Sequence, residues 1–177
     1  MATVELRDFR PEDAAAVRRW FNDERVTADL VARRESFTEE DARVWIERAM
    51  EKSRDRKWAI VLDGGAEPVG FVALFGLARE TGPELAVLVG DPAAWGQGVA
   101  GEAERQACVA AFRDYGAHRI HAEIPTTNVP AQHVVTRLGF KREGVMRRAI
   151  VRGLERVDNE VWGLLPDEFT GWRGPPT

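Results

Sequence analysis

Three glycines fall within six residues in Trp95-Gly96-Gln97-Gly98-Val99-Ala100-Gly101, between an apolar run and a long alanine-rich stretch. Glycines placed after a strand let successive backbone N–H groups converge, and the first turn of the following helix adds partial positive charge. Such a turn holds a phosphate or pyrophosphate. A plain helix start has no use for three glycines, each of which costs backbone entropy. No Gly-Lys-Ser/Thr follows, so the segment is not a P-loop. Gly96, Gly98 and Gly101 also spell G-x-G-x-x-G, and Glu123 stands where a ribose-binding acid would belong, about twenty residues on. That spelling keeps an NAD-dependent oxidoreductase as an alternative. Against it, Asp91-Pro92-Ala93-Ala94-Trp95 delays the first glycine, and too little chain follows for a series of βαβ repeats.

Other reactive side chains are few. Cys108 lies among Ala107, Ala110 and Ala111 with no histidine or asparagine spaced to activate it, which makes it a buried apolar residue rather than a nucleophile. His118 and His121 have no third ligand at useful spacing, so no metal is expected. His133 reads as a surface histidine, and Tyr115, at the far end of the long helix, as packing.

The elements that position these groups alternate in type. Val4 to Phe9 reads as a strand and residues 11–22 as an amphipathic helix started by Pro11. Thr38-Glu39-Glu40-Asp41 has the form of a capping box, opening a helix with Trp45 and Ile46 on one face. Trp58–Leu62 and Val69–Phe75 form a hairpin around Asp63-Gly64-Gly65-Ala66, and Leu85–Val89 is a third strand. Gly98–Tyr115 is helical, Ile120–Ile124 a strand, and Pro130–Leu138 a short helix stopped by Gly139. Arg147–Arg152 and Arg156–Leu164 close the fold around Gly153. Trp20, Trp45 and Trp58 fall on core faces. The expected organisation is one α/β domain over 1–170 with a frayed tail, 171–177.

Composition agrees. Of 177 residues, 44% are apolar and 31% charged, which is globular rather than disordered. The net charge of −4 argues against a nucleic-acid partner. No apolar run reaches the roughly 18 residues of a membrane span, and no signal peptide is evident at the start. A lone cysteine suggests a reducing, cytoplasmic setting.

The segment Trp95–Ala103 resembles the acetyl-CoA-binding loop of the GNAT acetyltransferases, Gln/Arg-x-x-Gly-x-Gly/Ala, with Gly98 and Ala100 at its last two defined positions and Trp95 where Gln or Arg is usual. The Trp-Gly-x-Gly form is similar to the branch that acetylates ribosomal-protein N-termini (RimJ/RimL type). Asn128 to Val145 resembles that branch's Asn-x-x-Ser-x-x-x-x-x-Lys-x-Gly-Phe-x-x-Glu-Gly block, with Ala131 for Ser and Arg137 for Lys. The resemblance implies a mixed, largely antiparallel sheet with one parallel strand pair at the cofactor cleft and about four flanking helices. It also implies direct transfer of acetyl from acetyl-CoA to an amine, either a peptide N-terminus or a small molecule. Backbone amides of Gln97, Gly98, Val99, Ala100 and Gly101 would hold the pyrophosphate. Val87, Leu88 and Val89 would pair with pantetheine, the Leu88 N–H polarising the thioester carbonyl, and Asn128 would line the same arm. Glu84 stands where relatives keep a glutamate base, and it also fits a surface acid at a hairpin end. Glu123 and Glu143 are further acids near the cleft, Glu143 the more structural. Val135 replaces the tyrosine that many relatives use as general acid, which keeps a non-catalytic CoA-binding sensor as another alternative. The acceptor wall is expected from Asn22–Phe37 and Val145–Asp158, and the assembly is a monomer or homodimer.

Overall fold

The computed structural model describes residues 2–28, 36–51, 54–152 and 154–171. Strand β1 (Val4–Arg7) ends on Arg7, whose guanidinium donates to both carboxylate oxygens of buried Asp13 at 2.7 and 2.8 Å. Asp13 also accepts the Arg10 N–H at 2.9 Å, closing the Pro11–Asp13 turn from which α1 (Ala14–Asn22) continues. A single helical turn, α2 (Glu24–Thr27), is capped by Asp23, which accepts the Arg25 N–H at 2.9 Å. Helix α3 (Glu39–Met50) opens on the expected capping box, with Asp41 N–H to Thr38 Oγ1 at 3.1 Å and Thr38 N–H to Asp41 Oδ2 at 2.9 Å.

The remaining elements are β2 (Arg56–Leu62), β3 (Gly70–Phe75), β4 (Glu84–Val89), α4 (Val99–Arg113), β5 (Ile120–Pro125), α5 (Val129–Leu138), β6 (Lys141–Arg152) and β7 (Glu155–Leu164). Seven strands make one sheet in the order β1-β2-β3-β4-β5-β7-β6, antiparallel everywhere except β4–β5. The β2–β3 hairpin turns through Asp63 and Gly64 at φ 51° and 69°, the left-handed pair such a loop favours. The described residues form five α-helices where about four were expected, because a one-turn helix such as α2 is too short to show periodicity. Strand β6 starts six residues before the expected Arg147. It is an exposed edge strand with irregular register at Arg142/Gly144 and Met146/Ile150, so its sequence lacks clean alternation. The expected Gly153 turn and the tail beyond Gly171 lie outside the described residues.

Alternating strand residues feed two cores on opposite faces. Trp58, Ile60, Val72, Leu74, Leu85, Ile120 and Ala122 pack with α4 and α5. Ala59, Phe71 and Leu88 pack with Phe9, Val17, Trp20 and Ile46 beneath α1 and α3. On this second face β5 presents polar residues instead, half-buried His121 and exposed Glu123.

Gly90, directly after β4, lies against the Trp20 ring, and a Cβ built there would run into the indole. Gly90→Ala is expected to destabilise the fold by about 1–3 kcal/mol, because a close-packed ring must shift. A lowered urea midpoint at unchanged m-value would show it.

Candidate active site

Strand β4 pairs with β3 along its whole length, from Glu84↔Phe75 to Val89↔Gly70, and β5 pairs with β7 from Ile120 to Pro125. Between them, β4 and β5 register only at Glu84↔His121, with the His121 N–H donating to Pro83 O at 3.0 Å. Beyond that contact the two strands part, leaving an edge of β4 unpaired inside the sheet.

Backbone groups along a strand point alternately to its two neighbours. The Gly90 N–H bonds Val69 O at 2.8 Å, on the β3 side, whereas Pro83 O faces β5. Trp95 Nε1 donates to Val89 O at 2.8 Å, from the open side. Polar groups of residues 85, 87 and 89 therefore turn toward β5 or the gap, and those of 84, 86 and 88 toward β3. This corrects the expectation for Leu88. Its N–H is directed at β3 opposite Phe71, and its side chain packs under α1 and α3, so it is not free for a ligand. The amides that reach the gap are those of Val87 and Val89.

The glycine segment crowns this gap. Asp91 accepts the Ala93 N–H at 2.9 Å, the Trp95 N–H bonds Pro92 O at 3.2 Å, and Gln97 Nε2 bonds Ala93 O at 2.7 Å, fixing the approach to the loop. Gly96 and Gly98 take φ 73° and 79°, the left-handed region that favours glycine. Gly98 is the N-cap of α4 and provides no side-chain cap. The first-turn N–H groups of Val99, Ala100 and Gly101 have no intrahelical acceptor, so they point out of a 15-residue helix at its positive end. Glu102 would oppose an anion there, but its carboxylate is tied to Arg105 at 2.7 and 2.8 Å and to Gln106 at 2.9 Å, which hold its pKa below the ordinary value. A Cβ on Gly101 would lie 3.4 Å from Val134 Cγ1, so the small residue lets α5 approach the same mouth. Asn128 is the N-cap of α5. Its Oδ1 accepts the Ala131 N–H at 3.2 Å, and its amide nitrogen has no partner among the described residues. A cradle of free amides with a hydrogen-bonding edge below it fits a pyrophosphate that continues into an amide-bearing arm.

On the other face, Glu84, His121 and Glu123 share the β4–β5 junction. Half-buried Glu84 has its pKa raised, first by burial and then by the charge of Glu123, with His121 and Arg79 opposing. Glu123 accepts Asn159 Nδ2 at 2.9 Å. Glu143 sits in a β6 irregularity, bonded to Arg119 at 2.7 Å, with its carboxylate over Gly163, where a Cβ would collide with it.

Residues 3–141 match the family model described as an acetyltransferase (GNAT) domain. The chain belongs to the GNAT acetyltransferases. The uncharacterized N-acetyltransferase YnaD of Bacillus subtilis is 26% identical over 164 residues, 93% of this chain and 94% of that protein. A GNAT-family acetyltransferase structure from Bacillus anthracis superposes with TM-score 0.81 at 26% identity, covering 95% of this chain and 98% of that one. The fold is shared with spermidine N-acetyltransferase from Vibrio cholerae in complex with CoA and spermine, with TM-score 0.84 at 16% identity and coverage of 93% and 96%. Like its family, this GNAT protein is an N-acetyltransferase that uses acetyl-CoA as cosubstrate.

The nicotinamide reading of Gly96, Gly98 and Gly101 is overturned. That fingerprint needs a doubly wound parallel sheet, and this sheet has one parallel pair. In this acetyltransferase Cys108 is fully buried, and burial followed by the charge of Glu104 pushes its thiol well above the ordinary value, so it carries no acyl group. His133 is exposed, and so is Tyr115, contrary to its reading as packing. Of the expected acceptor walls, residues 29–35 lie outside the described residues. Asn22 and Phe37 meet through Asn22 Nδ2 to Phe37 O at 2.8 Å and Phe37 N–H to Asn22 Oδ1 at 2.9 Å. Two features escaped the sequence reading, Asn159 and the bond from the loop's Trp95 to Val89 O. The run Asp158-Asn159-Glu160 inside a closing strand was the available signal for the first, since a paired strand seldom carries three polar residues in a row.

Proposed function

We propose that the chain transfers acetyl from acetyl-CoA directly to a primary amine, and that the acceptor is a protein N-terminal α-amine, as the RimJ/RimL-like Trp95–Ala103 and Asn128–Val145 segments suggest. A small-molecule amine is the second reading, favoured by the carboxylates Glu84 and Glu123 on the acceptor face. The carrying observation is the parting of β4 from β5 beneath an uncapped glycine N-terminus. In this reading the amides of Gln97–Gly101 hold the pyrophosphate, while Val87 and Val89 pair with the pantetheine arm and Asn128 flanks it. Glu84 takes one proton from the incoming ammonium and frees its lone pair, directly or through a water. Acetyl-CoA supplies the thioester: the C–N bond forms as C–S breaks, and the second proton shed by nitrogen neutralises the departing sulfur. The sole cysteine is buried and unpaired, in keeping with a reducing cytoplasmic setting.

The test is free-thiol release from acetyl-CoA against short peptides with free N-termini, polyamines, aminoglycosides and amino sugars. Amine-dependent release is expected, and Gly98→Trp abolishes it while weakening acetyl-CoA binding at least tenfold, since the residue must leave φ 79° and cover the amides. Tight acetyl-CoA binding without turnover on any amine would instead make the protein a sensor.

A further inference from the structure

Asn159 is 5% exposed, yet its side chain is only half satisfied. Nδ2 donates to Glu123 Oε2 at 2.9 Å, while Oδ1 is buried with no partner among the described residues. The amide orientation is dictated chemically, because an ionised carboxylate only accepts and therefore selects the NH2 end. A buried carbonyl oxygen left unpaired bears its desolvation cost uncompensated, so Oδ1 has the capacity to accept a donor. Register gives the sheet face on which this side chain lies. Asn159 stands opposite Pro125 on β5, which puts its side chain on the face that carries Glu123 and His121, and His121 pairs with Glu84. Asn159 Oδ1 and the Glu123 and Glu84 carboxylates are all acceptors, and a primary ammonium brings three donors and one positive charge.

We propose that Asn159 and Glu123 form the subsite that receives the acceptor's primary ammonium, Asn159 through Oδ1 and Glu123 through its charge, beside Glu84. This rests on the acetyl-transfer reading and adds to it the two groups that select the acceptor. Glu123 has a second effect, since its charge raises the proton affinity of Glu84 while His121 and Arg79 lower it.

The test uses the full chain with spermidine and a tripeptide with a free N-terminus as probes. For both Glu123→Gln and Asn159→Leu, KM for the amine is expected to rise at least tenfold while the Kd for CoA stays within twofold. Glu123→Gln also moves the acid limb of the kcat/KM profile to lower pH, which a merely structural role would not do. Tetramethylammonium, charged but without N–H groups, is expected not to compete. Thermal unfolding monitors Asn159→Leu, and exposed Glu123 provides the variant that folds regardless. An unchanged amine KM in both variants of an active enzyme, or equal competition by tetramethylammonium, overturns the subsite alone. No thiol release by the wild type with either probe overturns acetyl transfer to such amines and takes the subsite with it.

Discussion

Glu84→Gln is expected to lower kcat by about 100-fold or more while leaving the Kd for acetyl-CoA nearly unchanged, in line with the roughly 10²–10⁴ that a positioned base contributes. An ammonium has no lone pair, so the reaction needs a group that is ionised at working pH and still basic enough to take a proton. Glu84 meets both conditions through its place in the fold. Half-burial at the β4–β5 junction and the neighbouring charge of Glu123 lift its pKa above the ordinary carboxylate range, and His121 and Arg79 limit the rise. Because the base works when deprotonated, the wild-type rate climbs as pH rises through that elevated value. The glutamine variant loses this limb and shows a flat response there. Thiol-release kinetics from pH 5 to 9 measure both quantities, and a variant with wild-type kcat and an intact acid limb removes Glu84 from the mechanism.

Glu104→Leu is expected to stabilise the protein, by about 2–4 kcal/mol at neutral pH. Glu104 lies on the buried face of α4 with Ala107, Cys108 and Ala111, 6% exposed, and its Oε2 has no partner among the described residues. Burial alone pushes its pKa up to about 8 from an ordinary 4.5. A carboxyl with a raised folded-state pKa keeps its proton in the native protein and loses it in the unfolded chain. Stability is therefore fully present below about pH 4.5 and declines as pH rises toward 8. At pH 7 that decline amounts to about 3 kcal/mol, at about 1.4 kcal/mol for each unit above the unfolded value. Leucine fills a similar volume in an apolar setting and removes the titration. Urea unfolding at pH 5, 7 and 8.5 checks this, with the wild type losing stability across the series and the leucine variant nearly level. A wild-type profile that is flat from pH 5 to 8.5 refutes it. The consequence reaches the site, since Glu104 lies on α4, the helix whose N-terminal amides are proposed to hold the pyrophosphate.

Glu104 also shows why part of the molecule was hidden in one dimension. On an alanine-rich helix a glutamate reads as solvent-facing until the helix is docked, and only then does spacing to Cys108 and Ala111 become burial. Strand β6 was half missed for the converse reason, because an exposed edge with irregular register needs no alternating apolar residues. The one-turn α2 left no period to find.

The local features were legible because they depend on nearest neighbours along the chain. Periodicity marked α1, α3 and the central strands, Thr38 and Asp41 announced a capping box, and three glycines around the start of α4 announced free amides at a helix N-terminus. Tertiary structure decided everything that depends on which strand lies beside which. It showed that β4 meets β5 only at Glu84 and His121, and that strand alternation gives the gap to Val87 and Val89 and turns Leu88 toward β3. It also brought Glu84, Glu123 and Asn159, separated by up to 75 residues, onto one face. Backbone direction and pKa follow from pairing and burial between distant segments, and a linear sequence does not encode those contacts position by position.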